Sequence, residues 1–288
     1  MESYEAVGRA MRQEIMRRLS DVEREHDVRI LYACESGSRA WGFASPDSDY
    51  DVRFIYARRR DWYLSYDVER RRDVIEYPIV DEVDFSGWDI RKACELFTRS
   101  NGALLEWLRS PIRYIEFGGF AQGLRQMESD VTNCIALCYH YSHIARHNAT
   151  ACLDGDSVKL KRYFYALRPL LATRFIERHE RTPPMVFQDL VDETAPHEIR
   201  KPIRDLVKRK KSTPEFGYGP VVPTLNAFIE QELNRHGDAF IGLGRPEVGV
   251  LSDVRVRLNS LFLQTIEDAQ PIPSKVASVV RSKSAGIS

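Results

Sequence analysis

Apolar and polar positions divide the chain into two parts of different character. Over residues 3–26 the apolar positions Ala6, Val7, Ala10, Met11, Ile15, Met16 and Leu19 recur at helical spacing, and "VRILYAC" then switches to a β-rich run. A Gly-Ser turn, the polar "SPDSD" and the strand-like "YDVRFIY" follow. Next comes a region that reads as a hairpin with arms in "WYLSY" and "DVIEYP", and then a last strand, "IVDEVDFSGW". From about residue 88 the strand signal fades. The periodic segments 89–100, 102–109, 118–148, 157–180, 186–193 and 223–236 all predict helices. Four prolines and two glycines beside a basic run in "RKPIRDLVKRKKSTPEFGYGPVVP" predict a surface loop near 209–222, and the polar end of the chain beyond about 275 predicts a mobile tail. The fold class expected is α+β: a mixed β-sheet with helices over 1–115, an all-helical part over 116–275, and a tail over 276–288.

Composition narrows the picture little. The 288 residues are 43% apolar and 29% charged, enough for a sizeable core, and 42 Lys+Arg balance 42 Asp+Glu. A nucleic-acid partner must therefore be argued from local clusters rather than net charge. There is no run of eighteen apolar residues and the first helix is amphipathic, so a soluble cytoplasmic protein without a membrane partner is expected. The five cysteines lie in apolar periodic segments and read as reduced thiols. Cys134, Cys138, His140, His143, His147 and Cys152 suggest zinc at first sight. On a helix, however, Cys134 and Cys138 fall on one face and the three histidines near the opposite one, so no zinc site is expected.

The chemistry concentrates in "ESGSRAWGFASPDSDYDVRF", residues 35–54. On a strand, Asp49 and Asp51 would share a face about 7 Å apart. At an effective dielectric of ~20, two unit charges at that distance repel by roughly 2 kcal/mol, which calls for an offsetting cation. A Gly-Ser turn a dozen residues earlier supplies backbone N–H groups and a hydroxyl for terminal phosphates, and carboxylates hold the hard Mg²⁺ or Mn²⁺ ions that bridge those phosphates. The pattern suits metal-dependent phosphoryl or nucleotidyl transfer from a nucleoside triphosphate. A third carboxylate is expected from a neighbouring strand. Asp84 in "VDEVDF" ranks first and Asp89 second, the latter being placed to cap the helix "DIRKACELF"; Asp81 and Glu82 are nearby competitors.

Gly37-Ser38, a spacer, Asp49-Tyr50-Asp51 and an apolar strand together resemble the nucleotidyltransferase motif of the DNA polymerase beta superfamily. More narrowly, "GSRAWGFASPDSDYDVRFIY", "DFSGWDIRKACELFTRSNGALLEWLRSPI" and "VKLKRYFYALRPLLATRFI" are similar to the nucleotidyltransferases associated with bacterial RNA repair operons. The resemblance spans roughly residues 30–180. It implies a mixed nucleotidyltransferase sheet as a catalytic domain over 1–115, and Mg²⁺- or Mn²⁺-dependent transfer of a nucleoside monophosphate from a triphosphate with release of pyrophosphate. Carried over, Gly37 and Ser38 would bind the β- and γ-phosphates. Asp49 and Asp51 would bind both metals, Asp84 would complete the catalytic-metal site, and Arg39 would add a phosphate contact. Gly102 departs from the resemblance, which leads one to expect proline there.

Beyond this motif, Lys161, Tyr165 and Arg168 form one helical stripe suited to a triphosphate approached from the helical part. The plain alternative is a solvated stripe packed through its aliphatic stems. Arg91 and Lys92 are candidates for phosphate or acceptor contacts. Trp41 and Trp107 are expected in the core or a pocket wall. The runs "ARRRD", "ERRRD" and "KRKK" are candidate contacts for RNA, the acceptor favoured being an RNA 3′ hydroxyl in RNA repair. The rival readings are nucleotidylation of a protein or small molecule, and a catalytically inactive nucleotide- or RNA-binding module.

Overall fold

A computed structural model describes residues 7–153, 157–212, 217–241 and 252–269. The 276–288 tail lies outside the described residues. In chain order the elements are α1 (Arg9–His26), β1 (Val28–Glu35), α2 (Gly37–Trp41), β2 (Tyr50–Arg58), α3 (Arg60–Tyr63), β3 (Val74–Glu76), β4 (Val83–Asp89), α4 (Ile90–Thr98), α5 (Gly102–Leu108) and β5 (Arg113–Glu116). They continue as α6 (Phe120–Val131), α7 (Cys134–Leu153), β6 (Ser157–Lys159), α8 (Leu160–His179), α9 (Phe187–Thr194), α10 (His197–Ser212), β7 (Tyr218–Pro220), α11 (Pro223–Ile241) and α12 (Ser252–Asp268). The fold is α+β.

The main sheet has the order β3-β4-β2-β1-β5. Its β2–β4 pair is parallel and the other pairs are antiparallel. Strand periodicity gives the sheet two apolar faces. Val52, Phe54, Tyr56, Val83 and Phe85 pack with Ile15, Leu19 and Val22 of α1, whereas Ile55 and Ala57 join the core built with α4 to α8. By the same alternation Asp51, Arg53 and Asp84 point toward the helical side.

Several expectations change. The hairpin is formed by β3 and β4, while "WYLSY" begins inside the short α3, where the Tyr63 hydroxyl serves as a polar anchor, donating to Asp89 Oδ2 at 3.0 Å and accepting from the Arg58 N–H at 2.9 Å. The helix expected over 118–148 is two helices. Asn133 caps the second by accepting from the Ala136 N–H at 2.9 Å, and its own N–H donates to Ser100 Oγ at 2.8 Å. The basic run through Ser212 is helical, not a loop. Ile199, Ile203, Leu206 and Lys210 form the buried stripe of α10, and a lysine as its fourth member hid the pattern. The helical half also contains a small sheet, β6 with β7. One apolar core runs from Leu31 to Ala269 across the expected 115/116 boundary.

Candidate active site

Glu35 ends β1 with no exposed surface. Its Oε1 accepts the Asp51 N–H at 2.9 Å, and its Oε2 accepts the Tyr114 hydroxyl. The Ser36 N–H donates to the Asp51 carbonyl at 2.8 Å, so both backbone groups of Asp51 are held by the chain that leads into the turn. Burial, and secondarily the nearby Asp51 charge, push the Glu35 carboxyl up to about 7, against the lowering effect of the Tyr114 and Asp51 hydrogen bonds. The turn itself is pressed against the acid. Gly37 has φ +57°, and a Cβ there would lie 1.9 Å from Asp51 Oδ2, so a side chain is excluded both by conformation and by space. Ser38 follows, buried, in the first turn of α2.

Asp84 stands opposite Asp51 in the parallel β2–β4 register. Asp89 stands opposite Tyr56, five residues farther along β4 and so about 16 Å away. It caps α4 through the Arg91 N–H at 2.8 Å, and burial raises its carboxyl to about 6. Asp49 immediately precedes β2 and is exposed. Asp81 and Glu82 lie in a turn with positive φ, Asp81 paired with Arg18 at 2.7 Å.

Arg53 lies between the two strand carboxylates. Its Nη2 donates to Asp51 Oδ1 at 2.9 Å and to Asp84 Oδ2 at 2.7 Å, and its Nη1 to the Asp84 carbonyl at 3.1 Å. Arg39, the expected phosphate contact, has a buried guanidinium that donates to the Ser48 and Asp49 carbonyls and covers the Tyr50 ring at 3.7 Å, splinting the loop that carries Asp49. That loop is tied from the far side by Lys210, whose buried Nζ donates to Ser45 Oγ.

A cavity of about 350 Å³ adjoins the acids, with Ser36 and Arg53 on one wall and Trp41, Glu106, Tyr165 and Arg168 on the other. Trp41 meets Tyr165 edge-on at 5.6 Å, and the Arg168 guanidinium lies 4.5 Å from the Trp41 ring. Arg168 is buried and donates to Glu106 Oε1 at 2.9 Å, an oxygen that also accepts the Tyr141 hydroxyl at 2.8 Å. Arg168 is thus a neutralised wall residue rather than an open cation. Lys161 is half-buried on the same helix and is not among the residues lining the cavity. Trp107 lines the cavity and stacks on Trp88 at 3.8 Å. His140 also lines it and packs so closely on Gly102 that a Cβ at 102 would lie 2.4 Å from the ring, which accounts for glycine at that position.

In the basic runs Arg59 pairs with Asp27 at 2.8 Å, Arg71 with Asp67 at 2.8 Å and Arg72 with Glu76 at 2.7 Å; the candidates Arg91 and Lys92 likewise pair with Glu69 at 3.4 Å and Asp73 at 3.1 Å.

Glu35, Arg53 and Glu106 are site residues that sequence reasoning missed. Arg53 was legible, because it is two residues from Asp51 and so shares its strand face. Glu35 and Glu106 gave a weaker signal, acids inside the apolar segments "VRILYACE" and "LLEWL".

Among the described residues no group of three or more His, Cys, Asp or Glu side chains is gathered around one point as a metal site. The donor chemistry nevertheless suits a hard divalent ion: Asp51 and Asp84 offer carboxylate oxygens from adjacent strands, with Asp49 at the head of β2. No helix is long and apolar enough to cross a membrane among the described residues.

The chain is 43% identical over 259 residues to the uncharacterized protein YcgL of Bacillus subtilis (strain 168), covering 90% of this chain and 97% of that protein. A nucleotidyltransferase-like protein from Exiguobacterium sibiricum 255-15 aligns over 90% of this chain and 91% of its own, at 13% identity and a TM-score of 0.31. The model of the RNA repair pathway DNA polymerase beta family matches residues 11–263. On the length of that match, the chain belongs to the RNA repair pathway DNA polymerase beta family.

Proposed function

We propose that the protein transfers a nucleoside monophosphate from a nucleoside triphosphate to a hydroxyl acceptor, an RNA 3′ end in RNA repair. The observation that carries this reading is the Asp51–Asp84 pair on adjacent parallel strands, with the Gly37 turn packed against Asp51. Asp49, Asp51 and Asp84 would hold Mg²⁺ or Mn²⁺, which supplies Lewis-acid stabilisation of phosphate charge.

The chain's own contribution begins with the turn. Gly37 allows a phosphate close to the backbone, and Ser38 adds a hydroxyl. Glu35 and Ser36 fix the backbone of Asp51, so its carboxylate is set before substrate arrives. The cavity walled by Trp41, Tyr165 and Arg168 accepts the nucleoside, with Lys161, one turn before Tyr165 on α8, contributing positive charge near the phosphates. The acceptor oxygen forms the new bond to the α-phosphorus, the bond to the β-phosphate oxygen breaks, pyrophosphate leaves with that electron pair, and the acceptor proton passes to solvent. The catalytic part is 1–115 and the helical part 116–275 closes the cleft.

The test is incubation with each α-labelled triphosphate and Mg²⁺ or Mn²⁺, offering RNA with a free 3′ hydroxyl. Label is expected on the RNA. Asp51→Asn or Asp84→Asn should lower transfer by about 10²-fold or more, the scale of removing a preorganised charge-stabilising group, with an unchanged circular dichroism spectrum. Label on the protein itself would move the acceptor to a protein hydroxyl, and near-normal transfer by Asp84→Asn would remove it from the site.

A further inference from the structure

Arg53 occupies a position that the proposed function leaves unexplained. One nitrogen, Nη2, lies 2.9 Å from Asp51 Oδ1 and 2.7 Å from Asp84 Oδ2, which is the gap between the two carboxylates of the site. The other terminal nitrogen is held by the Asp84 carbonyl at 3.1 Å and by the Val52 carbonyl at 3.3 Å. A guanidinium and a divalent ion cannot occupy the same pair of carboxylate oxygens. Arg53 also faces open space: its side chain is 17% exposed and lines the cavity of about 350 Å³ shared with Ser36, Trp41 and Tyr165. Two partners on one side and a cavity on the other give the side chain two places to be.

We propose that Arg53 is a resident counter-ion that competes with the divalent metal for Asp51 and Asp84, and that turns into the adjoining cavity, toward the triphosphate, when the metal takes the carboxylates. The inference rests on the proposed reaction for the identity of the metal and the triphosphate. It goes beyond that reaction by making Arg53 a positioning residue with opposite effects on two ligands. In the free enzyme it relieves the repulsion of the acid pair and holds metal affinity down. With the carboxylates occupied, its charge faces the phosphates, where an arginine forms paired charge-assisted hydrogen bonds.

The experiment measures binding rather than turnover, on the full chain. Mn²⁺ alone is titrated by electron paramagnetic resonance, and inorganic tripolyphosphate in the presence of Mg²⁺ by calorimetry, for the wild type, Arg53→Gln and Arg53→Lys. Arg53→Gln should bind Mn²⁺ roughly 10- to 100-fold more tightly, the factor for losing a competing hydrogen bond between charged groups, and should bind Mg-tripolyphosphate more weakly. Arg53→Lys, which keeps the charge, should lie closer to the wild type on both. A structural role would not tighten one ligand while loosening the other. Mn²⁺ binding by Arg53→Gln no tighter than the wild type, in a folded protein, overturns the inference; if that variant does not fold, unaltered Mn²⁺ and tripolyphosphate affinities in Arg53→Lys together with tighter Mn²⁺ binding by Arg53→Met support it, and Arg53→Met no tighter overturns it. Asp51→Asn in the Arg53→Gln background separates the two readings. Mn²⁺ binding that survives this second change places the ion elsewhere and counts against the proposed reaction's metal site. Binding that is lost, with Arg53→Gln no tighter than the wild type, leaves that site standing and removes only the role of Arg53.

Discussion

A carboxylate with no exposed surface, Glu35, is hydrogen-bonded to the backbone of Asp51 and to Tyr114. Its folded-state acidity is displaced from 4.5 to about 7, chiefly by burial. The folded state therefore keeps the proton over a window, about pH 4.5 to 7, in which the unfolded chain has released it. The stabilising contribution is complete below the unfolded value and is lost as pH rises through about 7, amounting to about 3 kcal/mol. Glu35→Gln keeps an acceptor for the Asp51 N–H and has no proton to lose. Urea midpoints taken from pH 5 to 8 should fall less steeply for this variant than for the wild type. The residual slope belongs in part to Asp89, raised to about 6 by burial. An unchanged slope would mean that Glu35 is ionised throughout.

At the level of elements, the site depends on two that approach from opposite ends of the chain. The loop before β2 is splinted by Arg39 from α2 and tied by Lys210 from α10. Lys210→Met keeps the stem and removes the ammonium, leaving Ser45 without that donor. Chemical unfolding should show a loss of ~1–3 kcal/mol, against ~0.5 or less for the exposed Lys208→Ala. The same burial changes what "KRKK" can offer RNA. With Lys210 inward and Arg209 packed on Gly219, Lys208 and Lys211 are the members left exposed. At ~0.7 per single-strand contact, neutralising Lys208 and Lys211 should flatten the salt dependence of RNA binding by no more than about 1.4 in slope. A further flattening across a salt series when Arg209 and Lys210 are neutralised as well would mean that they too reach the nucleic acid.

At the scale of the whole molecule, α12 returns to the opening part of the fold. Val254, Leu258 and Ile266 are buried, Leu261 packs on Gly123, Phe262 meets Tyr63 edge-on at 5.4 Å, and Arg257 pairs with Asp130 at 2.8 Å. Each buried aliphatic chain stabilises by about 1.5–3 kcal/mol, so a chain stopped before Ser252 should unfold at markedly lower urea concentration. Because α12 joins the core that also contains Phe97 and Leu124, the loss should move one cooperative transition rather than add a second. Two separated transitions would mean that α12 and its neighbours fold as an independent unit.

The sequence by itself determined the switch from strands to helices, the Gly-Ser turn, the acids that follow it and the helix α8, because period-2 and period-3.6 spacing and glycine's backbone freedom are local properties. It left α10 and α12 unread. One hides a lysine in its buried stripe, and the other also exposes Val256 and Leu263, which blurs its apolar face. Tertiary structure alone decided that Asp84 stands opposite Asp51 and that Arg53 bridges them. It also decided that Arg39 turns inward and that Arg168 is neutralised by Glu106. Those outcomes depend on which polar groups meet after folding. Tyr114 meets Glu35 across 79 residues, Arg168 meets Glu106 across 62, and Lys210 meets Ser45 across 165. A buried polar group must find a partner, and no local spacing records which distant element brings it.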